Sequence, residues 1–507
     1  MGSRPSSSTW QSRGCAAVAG VVVEAARQAD CDLHLALVSV AESGIAEYAG
    51  GGYRDDPEER FEVGEVTDVL QTVAEWRHPD GSRPPLGALP FFSDELAPPD
   101  AFDGLEPDEL DFQEATGNEG ASFDRLYQRA ALVLWPRAHR TAVLAQGGLG
   151  VTVPFLGELA RQWQAGGEGR EAPLWQEAHE LAVQIQGDWP ATAWERRRAS
   201  EGGYAAAFLG HLVALGDREV IEAFAAGPMA TGAYGPRDNE ALVAALAQMP
   251  PARSAERLTA ILTHNAPDQP AACADVLARS VAVSADAASL LRPAGLALLG
   301  ALPVAPPDQP VSIGGGPREA PTASMVVALL GALARIDPSL AERGLAHLLA
   351  HRAAYEMDRV LGPAALELYA APETRALPSV QVLRTAVLVH LRRRVAEPLE
   401  PPADWRRPSA IACTCAHCRE LARFLDDPTR ASWTFKAAEA DRRHVEASIE
   451  RSRCDLEWVT EKRGRPYGLV CTKNQASYQR RVRQRQQDLA SLAALDAEMG
   501  APPSAPA

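Results

Sequence analysis

The feature that most constrains the fold is a long succession of apolar segments between residues 150 and 400. Gly- and Pro-rich breaks separate the segments, and within each the apolar residues recur at helical spacing, as on the buried face of a helix. Helix after helix without a strict sequence period is typical of an irregular, HEAT-like array. The pattern therefore predicts a mainly α protein with a helical array over residues 150–397. The clearest predicted helices are 205–215, 239–249, 255–263, 325–336, 340–351 and 382–395.

Residues 16–145 have a different pattern, which predicts a small N-terminal α/β segment. A helix over 21–29 precedes short apolar runs that are typical of buried strands. The sequence from His78 to Gly81, His-Pro-Asp-Gly, predicts a turn, because Pro and Gly favour chain reversal at these positions. Residues 1–15 and 496–507 are predicted to be disordered. The strand candidates are 33–40, 61–66, 70–76 and 129–135.

A Pro-rich linker over 398–410 leads into a third region, a Cys-rich and locally basic α+β module over 411–495. Five of the eight cysteines of the chain lie between residues 413 and 471. Cys413, Cys415 and Cys418 form a C-x-C-x-x-C motif that can bring three thiolates to one point. With His444 as a fourth ligand, the group would close a tetrahedral zinc site, and such a site stabilises a small domain.

The sequence leaves the identity of the fourth ligand undecided. His417 lies between two cysteines of the motif, and adjacent residues seldom reach the same ion. Cys454 or Cys471 could replace His444, or both could be buried apolar thiols. The competing interpretation is that all five cysteines are small buried residues or free thiols, because C-x-C-x-x-C is less specific than a pair of C-x-x-C knuckles.

Charge and hydropathy limit the partners. The 507-residue chain has a formal net charge of -16, which disfavours nucleic acid and anionic membranes as partners. No apolar run approaches the roughly 20 residues of a membrane span. We expect a cytoplasmic protein, since the first 30 residues lack an export signal, and in that compartment clustered cysteines favour metal over disulfides. The basic stretch 463–485 contains aromatic residues and could contact a phosphate backbone, but a β-hairpin followed by a solvated helix is the better interpretation.

Two blocks of sequence carry a family resemblance. The first is residues 116–137, TGNEGASFDRLYQRAALVLWPR, and the second lies within 443–480 and includes RGRPY at 463–467 and LVCTKNQASYQR at 469–480. Both resemble the C-terminal extension of large 2-oxoglutarate/Fe(II) dioxygenase-like proteins related to prolyl 4-hydroxylases. In that family the oxygenase core precedes the extension, so the resemblance implies a member without its core. It implies a non-catalytic accessory region that presents an interaction surface to a protein partner.

The alternative function is an active Fe(II)/2-oxoglutarate-dependent hydroxylase acting on a protein or peptide. His78 and Asp80 form an H-x-D pair, and His139 follows as a distal histidine. Three observations oppose this triad. Pro79 and the following glycine place the pair in a turn, the predicted strands are fewer than the roughly eight of a jelly roll, and no basic residue follows His139 at a suitable distance. We therefore expect no complete iron triad in this chain.

Overall fold

The computed structural model of the protein describes residues 13–49, 60–114, 120–283, 285–306 and 320–497. The chain is mainly α-helical with two small antiparallel sheets, which confirms the predicted fold class. The strands are β1 (Cys31–Tyr48), β2 (Phe61–Arg77), β3 (Leu89–Pro90), β4 (Glu109–Gln113), β5 (Ser122–Pro136), β6 (Ser432–Lys436), β7 (Leu456–Glu461) and β8 (Gly468–Lys473).

The helices begin with α1 (Arg13–Gln28), which precedes β1. Those after the first sheet are α2 (Arg140–Ala145), α3 (Leu149–Gly166), α4 (Pro173–Gly187), α5 (Ala193–Glu201), α6 (Tyr204–Leu215), α7 (Arg218–Ala226), α8 (Asn239–Leu246), α9 (Pro251–Asn265), α10 (Pro270–Val283), α11 (Arg292–Ala301), α12 (Ala323–Ile336) and α13 (Pro338–Ala350). The remaining helices are α14 (Gly362–Ala370), α15 (Pro372–Arg375), α16 (Pro378–Ala396), α17 (Ala416–Asp426), α18 (Glu439–Arg451) and α19 (Ala476–Asp496).

The chain divides into two compact units, residues 1–321 with 331–344 and residues 322–330 with 345–507. The predicted domain boundaries, and the HEAT-like character of the helices, stay predictions. Most of the two termini predicted to be disordered lies outside the described residues. None of the described helices combines the length and the apolar character that crossing a membrane requires.

The first unit begins with a five-stranded antiparallel sheet of order β3-β2-β1-β5-β4. β1 is central because it pairs along nearly its whole length with both β2 and β5. The two strand candidates at 61–66 and 70–76 form the single strand β2, whose ladder to β1 continues through Asp68 and Val69, with a register shift at Thr67. Apolar side chains of α2 and α3, among them Leu144 and Val151, cover one face of the sheet.

The helices of the first unit start and stop where local chemistry dictates. Pro173 and Pro251 occupy the first turns of α4 and α9, where the missing N–H costs no hydrogen bond. Gly216 ends α6 in the left-handed conformation, with φ of 64°, which glycine adopts without strain. Aromatic rings fill the space between the helices, with the Phe224 ring 4.6 Å from Trp189 and 4.9 Å from Phe208.

The second unit contains two cores. In one, α19 packs against α14 and α16, and its Leu495 is fully buried there. The other is the three-stranded antiparallel sheet of order β6-β8-β7 covered by α17 and α18. In the central strand β8, Leu469 and Cys471 are fully buried and join Leu421 of α17 and Val445 of α18. This second core positions the cysteine motif.

Candidate metal centre

The cysteine motif lies at the start of α17. Cys415 is the N-cap residue, with extended backbone angles, and its Sγ accepts a hydrogen bond from the backbone N–H of Cys418 at 3.4 Å. A thiolate suits this position, because the first N–H groups of a helix have no partner within the helix and carry partial positive charge. Cys413 lies two residues upstream in the loop, and Cys418 lies in the first turn.

His444 comes to the same point from α18. The neighbouring Val445 and the later Ile449 are buried in the sheet core, which fixes the rotation of α18 about its axis. The His444 Nε2 atom lies 3.4 Å from each of the Sγ atoms of Cys413, Cys415 and Cys418. The four candidate ligand atoms all lie within 4.8 Å of one another. The structure therefore brings together the four residues predicted from the sequence.

These distances fit a tetrahedral ion. With Zn–S bonds of about 2.3 Å and a Zn–N bond of about 2.0 Å, the S···N edge of a tetrahedron measures about 3.5 Å. The observed 3.4 Å is close to that edge for all three sulfurs. The cluster of Cys413, Cys415, Cys418 and His444 can thus hold a metal ion.

The cluster lies at the surface of the module with one buried corner. Cys418 is buried, Cys413 and Cys415 are half-buried, and His444 is exposed. The hydrogen bond from the Cys418 N–H lowers the pKa of Cys415 to about 6, whereas burial raises the pKa of Cys418 to about 11. A bound divalent cation favours the thiolate at both positions.

Sequence reasoning missed Ser448, which follows His444 by one helical turn. Its hydroxyl oxygen lies 3.3 Å from Cys418 Sγ, and the hydroxyl donates to the His444 carbonyl oxygen at 2.9 Å. A hydroxyl that contacts one candidate ligand and the backbone of another is typical of the outer partners that orient metal ligands. The available signal was that Ser448 follows His444 by four residues, the spacing of one helical turn.

The structure places the alternative ligands elsewhere. The His417 ring lies 5.0 Å from that of Phe435 and its Nε2 lies 3.7 Å from Asp441 Oδ1, and His417 is not part of the cluster. Cys454 and Cys471 belong to the apolar core of the module. Burial raises the pKa of Cys471 to about 12, as expected for an inert thiol.

The three residues of the alternative iron site are not brought together. His78 to Gly81 form the predicted turn, in which the Gly81 N–H donates to the His78 carbonyl oxygen at 2.8 Å. The Asp80 carboxylate accepts hydrogen bonds from the Ser82 N–H and hydroxyl, at 2.9 and 2.6 Å. His139 is exposed in a short 3-10 turn before α2. Within the described part of the chain, the Cys/His cluster is the group of three or more ligand side chains close enough to share an ion.

The basic stretch after residue 463 forms the β-hairpin and helix predicted as the alternative to a phosphate-binding surface. β7 and β8 pair around the turn that contains Arg463, and α19 follows. One of its cations is structural. Lys473 is buried, donates to the Asp427 carbonyl oxygen at 2.7 Å and lies 4.5 Å from the centre of the Phe424 ring.

Comparison of the chain with protein-family models, with curated proteins and with solved structures gives no match.

Proposed function

We propose that Cys413, Cys415, Cys418 and His444 bind one zinc ion, and that this ion stabilises the C-terminal module of a non-catalytic interaction protein. The observation that carries the proposal is the convergence of three thiol sulfurs and one imidazole nitrogen within 4.8 Å of one another, with each S···N distance close to a tetrahedral edge. Four protein ligands complete a tetrahedron, so no coordination position is left for a reactive water. Such a site contributes folding free energy rather than catalysis.

The donor set favours zinc over other common ions. Magnesium and calcium prefer oxygen ligands, and this cluster offers none. Three soft thiolates with one imidazole are a common structural zinc set, whereas iron–sulfur clusters usually take four thiolates. A zinc ion here would join the loop before α17, the first turn of α17 and the middle of α18. The core beneath these elements is small, and small cores often need a metal or disulfides for stability.

The non-catalytic role is supported by where the two family-like blocks lie. The first block, residues 116–137, contains β5, in which Phe123 is fully buried and Trp135 nearly so. The second block, 443–480, contains α18, β7 and β8 around the small core. Many residues of the blocks thus have structural roles. The relation to 2-oxoglutarate oxygenase-like proteins is part of this proposal and rests on those blocks.

The interaction role is supported by apolar side chains on the outer face of the N-terminal sheet. Leu35 of β1 pairs in register with Leu132 of β5, and they are 43% and 41% exposed. Leu134, two residues further along β5, is 54% exposed. Neighbouring exposed leucines on a sheet face are typical of a protein-binding surface.

Metal analysis of matched variants tests the zinc site. The full-length protein should contain about one zinc ion per chain. Cys415→Ala and His444→Ala should lose the metal. Two control variants should keep it: Cys31→Ala, which removes a half-buried thiol in β1, and His417→Ala, which removes a histidine inside the motif. Folded protein without zinc, or loss of zinc from His417→Ala but not from His444→Ala, would contradict the ligand set.

A turnover assay tests the non-catalytic role separately. Purified protein supplied with Fe(II), ascorbate, 2-oxoglutarate and oxygen should form no succinate above the protein-free background. Succinate formation that is abolished by Asp80→Ala would overturn the proposal, whatever the zinc content.

The apolar surface is tested by a Leu132→Ser/Leu134→Ser variant, which should lose a stoichiometric co-purifying partner. Val459→Ser, an exposed apolar residue on β7, should retain it.

A further inference from the structure

A cavity of about 410 Å³ lies in the first unit, well away in sequence from the cysteine motif. Its volume is within the range of small-molecule sites. Its walls come from β1, the loop after β2, the end of β5, and helices α2 to α4. Aromatic and aliphatic side chains make up much of the lining, among them Trp135, Phe155, Leu86 and Leu159.

Two histidines, His34 of β1 and His78 of the turn after β2, line this cavity without hydrogen-bond partners among the described residues. His34 is 7% exposed, and its ring lies 5.1 Å from the ring of His78 and 5.2 Å from that of Trp135. His34 Nδ1 is buried and unpartnered, and neither imidazole makes a hydrogen bond within the described chain. A buried polar side chain without a partner is unusual, because it forfeits hydrogen bonds to water. Burial also lowers the pKa of His34 to about 4, so its ring is neutral at pH 7 and offers one N–H donor.

The carboxylates that line the cavity already have partners. Asp32 accepts hydrogen bonds from Arg140, including one of 2.6 Å, and from Trp135 Nε1 at 3.1 Å. Glu158 accepts from Gln162 at 2.6 Å and also pairs with Arg161. A cationic ligand would therefore find no free carboxylate. An acceptor would find two imidazoles and the exposed guanidinium of Arg83, whose contact with Glu75 is a loose 3.5 Å.

We propose that this cavity binds a small carboxylic acid with an aromatic body, its carboxylate at His34 and His78 and its ring against Trp135 and Phe155. A carboxylate is an acceptor only, which matches the unpartnered N–H donors. The apolar walls exclude water from the ring and gain free energy from its burial. The site shares no residue with the zinc cluster, so its failure and that of the proposed zinc site are independent results.

Three probes of one shape test the proposal with the full-length protein: benzoate, neutral benzamide and cationic benzamidine. Isothermal titration calorimetry should show benzoate binding about tenfold more tightly than either analogue, the value of one hydrogen bond to a charged group. His78→Ala should weaken benzoate binding about tenfold. His139→Ala, an exposed histidine outside the cavity, should leave it unchanged.

Histidine-selective NMR adds a readout that needs no variant and so does not depend on the folding of a mutant. Saturating benzoate should shift the ring signals of two histidines, and the signal lost in His78→Ala should be one of them. The proposal is overturned if benzamidine binds as tightly as benzoate, if benzoate does not bind, or if His78→Ala and His139→Ala behave alike.

Discussion

The ion pair between Arg394 of α16 and Asp488 of α19 gives the sharpest test of how the C-terminal helix is held. Asp488 is 2% exposed, and its two carboxylate oxygens accept from Arg394 Nε at 2.6 Å and from an Arg394 terminal nitrogen at 2.5 Å. Removing one partner of a buried pair leaves an uncompensated charge and costs roughly 3–5 kcal/mol. Because the Arg394 side chain is 26% exposed, we expect Arg394→Met to cost about 3 kcal/mol, at the lower end of that range.

The double variant Arg394→Met/Asp488→Leu measures the coupling between the two side chains. Replacing both charges with apolar residues removes the buried carboxylate, so most of the lost stability should return and the coupling should be about 2 kcal/mol. Hydrogen exchange of the amides of α19 measures this locally, and Arg393→Met, an exposed arginine of α16, is the control. If the double variant were as unstable as the sum of its single variants, the two side chains would not be coupled and the reasoning would be wrong.

Three further predictions concern the first unit. Since burial lowers the pKa of His34 from 6.5 to about 4, the unfolded chain binds a proton that the folded chain does not, and the urea midpoint should fall as pH drops from 6.5 towards 4, less so in His34→Asn. Burial raises the pKa of Asp238 from 3.8 to about 6, so stability is lost as pH rises through that window. Asp238→Asn should therefore be more stable than the parent at pH 8, by at most about 3 kcal/mol, and similar to the parent near pH 4. A Cβ at Gly44 would collide with the backbone of β2 and lie 2.9 Å from the Phe123 ring, so Gly44→Ala should lower the thermal midpoint of unfolding, whereas Gly20→Ala in α1, with open space around it, should not.

Helix positions could be predicted from the sequence because apolar spacing and Gly or Pro breaks act locally. The helix expected at 205–215 is α6, Tyr204–Leu215. Which face packs was harder to predict, since α16 carries two apolar stripes. Val382 and Val389, which recur at helical spacing, are 53% and 63% exposed, whereas Leu383 and Val387 on the other stripe are buried. Tertiary contacts decide which stripe is buried, and the helical spacing of the apolar residues does not reveal those contacts.

The three candidate sulfur ligands could be predicted from one short motif, whereas the candidate fourth ligand depends on packing. His444 reaches the cluster because Val445 and Ile449 hold α18 against the sheet, and because Cys471 is taken up by the core beneath. No motif joined His34 to His78, since the two histidines meet only through the pairing of β1 with β2. Neighbouring registers such as Leu35 with Arg77 make them adjacent across 44 residues of sequence.

In the proposed site, three thiolates and one imidazole close a tetrahedron around zinc. X-ray absorption at the zinc edge on the purified protein measures this most directly. We predict three Zn–S distances of about 2.3 Å and one Zn–N distance of about 2.0 Å, with no oxygen at bonding distance. A zinc-free protein, or a zinc ion with a water ligand or with four sulfurs, would contradict the account.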